Sequence, residues 1–493
     1  MLERLLNPVN QAAQVLDRKL AHKAVVAIVV VVFAAVLKIA SLQIGITRFS
    51  PDSWSYFELS KTIFGPAFYQ FNTFRSYFSH EYSASFPPGY PTVLAIASWV
   101  FGERPMTAVD INIAAAVATG WVLLGICRTL RLSALTSLAI VCSVWLYPPY
   151  LDEVVSGRAV PAALLVFLVS FHLQLQGKAL AAGCMLGLSV LFRFDFLVYA
   201  LLYQAIVVVR NFRDPQAVIR LALGFAAGIS PWVIYSVTHF GRMWVSDNSW
   251  VALSAVPAFV VDYPAAPLVS AFEAPMAWLR RVLGNVQPLL QALGGAALLM
   301  PLLVVFLVAS IRNWRQVTNK SQVLALVLAA AASTAPYLLT GYFDARYFSL
   351  VFLGLALLQA VALSAAPRPC LLGLDLLGLG LVALVMTIPV GLSALGTMAL
   401  QAPQVSQRLD LQTRQIATLK ACHQKTPRTI YIFIGDVFGF APMYGGLSGM
   451  RTAFVASNYP RMTDGERQAF FDHLQPHLVI RSMEQIEQCH QQN

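Results

Sequence analysis

The first residue with chemical potential is Asp52, in the stretch SPDSWSY (50–56), just after the first long apolar run of the chain. Ser50 is a good helix N-cap, Pro51 suits the first helical position, and Asp52 then occupies the electropositive first turn. Those three residues explain the acid structurally. The same spacing puts Tyr56 on the face of Asp52, four residues on, so that a carboxylate base and a phenol stand side by side. A second acidic pair, Asp152 and Glu153, lies in YPPYLDEVVSGRAVP, with Arg158 in reach as a partner. Carboxylates this close to apolar segments are costly to bury unless paired or hydrated, and often functional.

Two arginines complete the set. LFRFDFL places Arg193 two residues before Asp195, and FDARYF places Arg346 two residues after Asp344 and beside Tyr347. Either arginine alone reads as a side chain snorkelling to the membrane surface. On one side of a membrane, the two form a clamp for a phosphate delivered from the bilayer, through bidentate charge-assisted hydrogen bonds. SPWVIYSVTHFG, with Pro231 and His239, reads as a kinked interfacial helix end, and SFPPGYP as an extended turn before a helix. No CxxC pair or histidine-rich metal spacing occurs.

The elements that must position these residues are membrane spans. The chain has 493 residues, 58% hydrophobic and 12% charged, roughly half the charged share of a soluble globular protein. Its net charge of +11 belongs to topology rather than to nucleic acid, because the basic residues cluster in short loops. Apolar stretches of spanning length give about eleven helices, near 24–46, 106–127, 134–149, 158–175, 179–193, 195–209, 217–239, 287–310, 321–340, 347–366 and 371–397. The first has no cleavage site after it and reads as a retained helix. Several others fall short of the ~20 residues that cross a bilayer, so those near 134–210 are expected to be tilted, broken or paired. With residues 1–23 cytoplasmic, alternate loops carry Arg18, Lys19, Lys23, Arg128, Arg131, Lys178, Arg210 and Arg312, as the positive-inside rule requires. The opposite loops hold Asp52, Asp152, Glu153, Asp247 and Asp344, which makes the outer face the working surface.

Two polar outer loops, 47–91 and 240–285, interrupt a membrane domain over 24–397. The segment 398–493 reads as a small extracytoplasmic α/β domain: QRLDLQTRQIATLKAC and TDGERQAFFDHL have helical patterns, TIYIFIGD and HLVIRS strand patterns. The fold class expected is therefore mainly α, a polytopic membrane protein with a C-terminal α/β addition. Six cysteines add little. Cys422 and Cys489 lie in the outer segment, where oxidising conditions permit but do not require a disulfide.

Taken in order, PDSWSYFELS, FPPGYP, GLSVLFRFDFL, SPWVIYSVTHFG and DARYF resemble the GT-C superfamily of polytopic glycosyltransferases, whose donors are polyprenyl-phosphate sugars. The likeness is greatest to the bacterial branch related to protein mannosyltransferases and the lipid A aminoarabinose transferase, and covers about residues 24–350 in pattern and order. It implies a bacterial inner-membrane enzyme that transfers a sugar on the outer face to a lipid, polysaccharide or protein. Asp52 holds the place of the family's essential aspartate, as base or as the residue that positions the acceptor. Asp152 or Glu153 falls where a second acid is frequent, although SGRAVP has Gly157 where many relatives carry a glutamate after the serine. Arg193 and Arg346 take the place of donor-phosphate contacts; Tyr56, Asp195, Asp344 and Tyr347, their neighbours and that of Asp52 in sequence, are the further substrate-binding candidates. Relatives differ in metal use, so no cofactor is implied and a divalent cation stays open. The rival from another class is a lipid or sugar transporter without transferase activity, for which internal repeats with broken helices are expected. No repeat is evident between the two halves.

Overall fold

The computed structural model describes residues 2–20, 23–66, 68–70, 73–74, 82–210, 214–253, 270–298, 320–332, 334–341, 343–364, 376–425, 430–433, 451–454, 464, 468 and 478–480. Helix α1 (Leu2–Leu20) and α2 (Lys23–Ile44) lead through a 3₁₀ turn (Gly45–Arg48) into α3 (Pro51–Thr62). After strand β1 (Thr73–Phe74) come α4 (Gly89–Phe101), α5 (Met106–Thr129), α6 (Ala134–Trp145), α7 (Pro148–Val155), α8 (Val160–Leu175), α9 (Ala179–Phe192), α10 (Phe196–Arg210) and α11 (Pro215–Phe240). The second half holds α12 (Asp247–Leu253), α13 (Pro275–Gly284), α14 (Val286–Leu298), α15 (Lys320–Ala332), α16 (Ala335–Thr340), α17 (Ser349–Ser364) and α18 (Leu376–Lys425). Strands β2 (Ile430–Phe433), β3 (Arg451–Phe454) and β4 (Leu478–Ile480) follow.

Among the described residues, four helical segments are long and apolar enough to cross a membrane: Val26–Arg48, Met106–Thr129, Pro215–Phe240 and Gly380–Gln407. A fifth crossing is formed if α6 and α7, bent by 58°, count as one span. The bend has a covalent cause, because Pro148 and Pro149 follow the end of α6 and cannot continue its hydrogen-bond ladder. Over 321–340, expected as one span, the structure describes α15 and α16, with Pro336 in the first turn of the second; Ser333 between them lies outside the described residues. The span expected at 287–310 is helical from Val286 to Leu298, and its remainder lies outside the described residues.

Close backbone contact fixes the frame around the site. Gly183 and Gly187 of α9 face Gly224 and Gly228 of α11 so tightly that a Cβ on Gly183 would meet the Leu221 carbonyl oxygen at 2.0 Å. Small residues four apart on both helices permit this approach, the usual way helices associate where lipid removes the hydrophobic drive. The turn of FPPGYP lies against the same helix: a Cβ on Gly89 would stand 2.5 Å from the Leu191 carbonyl oxygen. The end of α9, where Arg193 sits in extended conformation, is therefore held from two sides. At the other face, Asp17 of α1 accepts from the Leu135 N–H at the start of α6, 2.7 Å away.

The strands form one parallel sheet of order β1-β3-β2-β4. β2 and β4 fall within the two stretches read as strands, and α18 contains the helical pattern before them. Of the expected helix over TDGERQAFFDHL only Asp464 and Gln468 are described, both helical, and Cys489, the candidate partner of Cys422, lies outside the described residues.

Candidate active site

α3 starts as its sequence requires. The Ser53 N–H donates to Ser50 Oγ (3.4 Å) and the Ser50 N–H to Ser53 Oγ (3.1 Å), a reciprocal cap with Pro51 at the first helical position. Asp52, half-buried in the first turn, acts electrostatically on both Tyr56 and Arg346. Tyr56 is buried between Phe86 and Tyr90, whose rings stand edge-on at 4.7 and 5.1 Å. Burial drives its phenol far above the usual range; Arg193 opposes the rise, and Asp52, Asp195 and Glu153 add to it. The hydroxyl keeps its proton at any working pH and is available as a donor.

The acidic pair of α7 sits in a network of arginines. Asp152 Oδ1 accepts from Arg48 Nε and Nη2 (3.0 and 2.7 Å), and its Oδ2 is paired with Arg158. Glu153 is 0% exposed, and its Oε1 meets Arg158 Nη1 at 3.0 Å and Arg346 Nη1 at 3.1 Å. Its Oε2 has no hydrogen-bond partner among the described residues. A buried carboxylate needs such pairing, because an uncompensated charge there costs several kcal/mol. The turn carrying Glu153 and Arg158 is pinned from α5 and α4: the Asn112 amide of α5 donates to the carbonyls of Glu153 (3.2 Å) and Arg158 (2.8 Å), and the Tyr90 hydroxyl of α4 to that of Gly157 (3.1 Å).

Both expected arginine–aspartate pairs form. Arg193 grips Asp195 in a fork, Nε to Oδ1 at 3.0 Å and Nη2 to Oδ2 at 3.1 Å, and the Tyr337 hydroxyl donates to Asp195 Oδ2 at 2.9 Å. Arg346 lies 3.1 Å from Asp344 and donates to the Tyr347 hydroxyl at 2.9 Å. Asp344 also accepts from the Arg346 N–H, which starts the short 3₁₀ turn holding that arginine. Tyr347 lies between the cations, with Arg346 and Arg193 at 4.8 and 5.3 Å from its ring centre. Tyr337 stacks on it at 4.4 Å. The small cavity here is walled by Arg193, Asp195, Arg346 and Tyr347 on its polar side and by Val160, Leu164 and Leu350 on its apolar side. With about 20 Å³ open to water-sized molecules, it has room for roughly one water.

The nine residues singled out in the sequence, Asp52, Tyr56, Asp152, Glu153, Arg193, Asp195, Asp344, Arg346 and Tyr347, thus come together in one polar cluster from α3, α7 and the segments after α9 and before α17. Sequence reasoning missed Arg48 and Tyr337, which pair with acids 104 and 142 positions away and carry no local signal. Two further acids of the outer loops, not counted as site residues, are buried: Glu58 in α3, and Asp247, which accepts a hydrogen bond from Ser85 of the SFPPGYP turn. Among the described residues no group of three or more His, Cys, Asp or Glu is placed to hold a metal ion. Asp152 and Glu153, each already held by two guanidinium groups, do not fit one.

No family model matches the sequence, and no curated protein matches it. Solved structures do. ArnT from Cupriavidus metallidurans bound to undecaprenyl phosphate superposes with a TM-score of 0.55 at 14% identity, covering 92% of this chain and 89% of that one. The same protein in the apo state gives a TM-score of 0.52 at 14% identity, over 94% and 90% of the two chains. The archaeal oligosaccharyltransferase AglB from Archaeoglobus fulgidus, in complex with an inhibitory peptide and a dolichol-phosphate, gives 0.49 at 11% identity, over 90% and 68%. The chain shares the fold of ArnT, and four helices among its described residues are long and apolar enough to cross a membrane.

Proposed function

We propose that the protein is a membrane glycosyltransferase that moves a sugar from a polyprenyl-phosphate donor to an acceptor on the outer face of a bacterial inner membrane. The observation that carries this reading is the meeting of Arg193 and Arg346 across Tyr347, within electrostatic reach of Asp52. The fold shared with a protein that binds undecaprenyl phosphate supports the same donor class. In this reading about eleven helices cross the bilayer, the N-terminus is cytoplasmic, and segment 398–493 forms an extracytoplasmic α/β domain.

Phosphate is a good leaving group, so breaking its bond to the anomeric carbon needs little acid assistance. It needs positive charge where negative charge develops, and Arg193 and Arg346 supply it in a partly dry cleft where such charge counts for most. Each arginine is oriented by its own aspartate, Asp195 or Asp344, so the guanidinium planes are set before the donor arrives. Tyr56, held protonated, donates a hydrogen bond, and Tyr347 keeps the two cations apart. Asp52 takes the proton from the acceptor hydroxyl as that oxygen attacks the sugar carbon. One base and a direct displacement imply inversion at that carbon, by analogy with glycosidase logic. Of the α7 acids, Glu153, with one oxygen unpartnered among the described residues, is the better second carboxylate; Asp152, held at both oxygens, anchors Arg48 and Arg158.

Mass spectrometry of surface glycans and glycolipids from cells lacking the gene tests the reading. A sugar missing from one glycan or glycolipid is expected; unchanged glycans would favour a transporter.

A further inference from the structure

The first outer loop leaves the site by a short, well-fastened path. α3, which carries Asp52 and Tyr56, ends at Thr62, whose hydroxyl donates to the carbonyl of Gln70 at 3.0 Å, and the Tyr69 N–H donates to the Thr62 carbonyl at 3.4 Å. The returning strand of the loop is tied at the same level. Gln70 forms an antiparallel bridge with Tyr82, the Ser83 N–H donates to the Tyr69 carbonyl (3.3 Å), and the Tyr69 hydroxyl donates to the Phe86 carbonyl (2.9 Å). Tyr235 of α11 donates to the Ser83 carbonyl at 3.0 Å, which fixes this base to the membrane helices.

Three residues beyond Gln70 the chain joins another body. Thr73 and Phe74, as β1, pair in parallel with Thr452 and Ala453 of β3. Three extended residues reach about 10 Å at most, so the edge of the C-terminal sheet is held close to the end of α3. A two-residue strand is marginal by itself; the pairing depends on its tied base and couples that base to the sheet. Covalent chain and hydrogen bonds run without a gap from Asp52 through α3, Thr62, Gln70 and Thr73 to Thr452, the contiguous path that mechanical coupling requires.

We propose that the C-terminal segment is a positioning element of the active site: β3, by holding β1, fixes the loop that sets the end of α3 and so the aim of Asp52 and Tyr56. This rests on the catalytic role proposed for Asp52. The segment is then required for turnover even though none of its described residues is among the nine of the site. A loosened α3 keeps its donor contacts at Arg193 and Arg346 but loses alignment, and misplacement on the order of 1 Å costs up to about a hundredfold in rate. The expected signature is a lower kcat with donor KM little changed.

Full-length protein in lipid vesicles, supplied with undecaprenyl-phosphate-linked hexoses and pentoses and an acceptor extract, tests this by release of undecaprenyl phosphate as the sugar is transferred. Phe74→Pro, which removes a β1 N–H, is expected to lower kcat about tenfold or more. Thr73→Cys combined with Thr452→Cys, whose Cα atoms are register partners, is expected to form a disulfide on mild oxidation. In the Phe74→Pro background that disulfide should restore turnover to within about twofold of the wild type, and reduction should remove it again. Wild-type turnover in Phe74→Pro would overturn the proposal, as would failure of the two cysteines to cross-link in folded protein, or a formed cross-link that restores nothing. Asp52→Asn separates the two claims: if it stays active, the assignment of the base fails, while cross-linking still reports the pairing.

Discussion

Asp52 sits in the first turn of a capped helix, and the cap suits it equally to the role of base proposed for it. Ser50, Pro51 and Ser53 fix the first turn of α3, and a fixed first turn holds the carboxylate beside Tyr56 and within reach of Arg346. Arg346→Ala is expected to raise donor KM roughly tenfold to a hundredfold, the worth of a charge-assisted contact, with kcat less affected; steady-state kinetics with a polyprenyl-phosphate sugar check it. Tyr56 carries a pH prediction. Its folded proton affinity lies above the unfolded value, near 10, so the unfolded chain releases the proton first as the solution becomes alkaline. Stability from this group is therefore complete below about pH 10 and declines above it. Tyr56→Phe should flatten the alkaline fall of the unfolding temperature, and an unchanged slope would show that Tyr56 is not held neutral by the fold.

At the scale of elements, the paired glycines of α9 and α11 carry the placement of Arg193. Gly183→Ala or Gly224→Ala forces the helices apart, since the added carbon would sit 2.0 to 2.1 Å from a carbonyl oxygen. A loss on the order of 1–3 kcal/mol is expected, together with weaker donor use, and thermal unfolding beside donor KM measures both. What the sequence made legible at this scale was local. The cap of α3, the four-residue spacing of Asp52 and Tyr56, and the arginine–aspartate pairs two residues apart are all short-range patterns. Arg48 with Asp152 and Tyr337 with Asp195 are made by packing of distant helices and leave no trace in any window of residues. Pro148 and Pro149 mark the 58° bend between α6 and α7, within the stretch expected to be tilted or broken. β1 and β3, Thr73–Phe74 and Arg451–Phe454, are too short for alternation to register, whereas β2 and β4 lie in continuous apolar runs.

For the whole molecule, charge and apolar length set the orientation proposed above. Arg128 lies in the last turn of α5, Arg131 follows it and Glu103 precedes it, so the two ends of this helix should face opposite compartments. Glu103→Cys is expected to react with a membrane-impermeant thiol reagent in intact cells, and Arg131→Cys only after permeabilisation. The reverse pattern would invert the topology and put the arginine cluster on the cytoplasmic side. The chemistry proposed for the site depends on Asp52. In vesicles holding an undecaprenyl-phosphate-linked sugar and an acceptor extract, the wild type should release undecaprenyl phosphate as the sugar is transferred, and Asp52→Asn, equally folded, should not. Equal release by both proteins would contradict the assignment of the base and, with it, the chemistry proposed for the site.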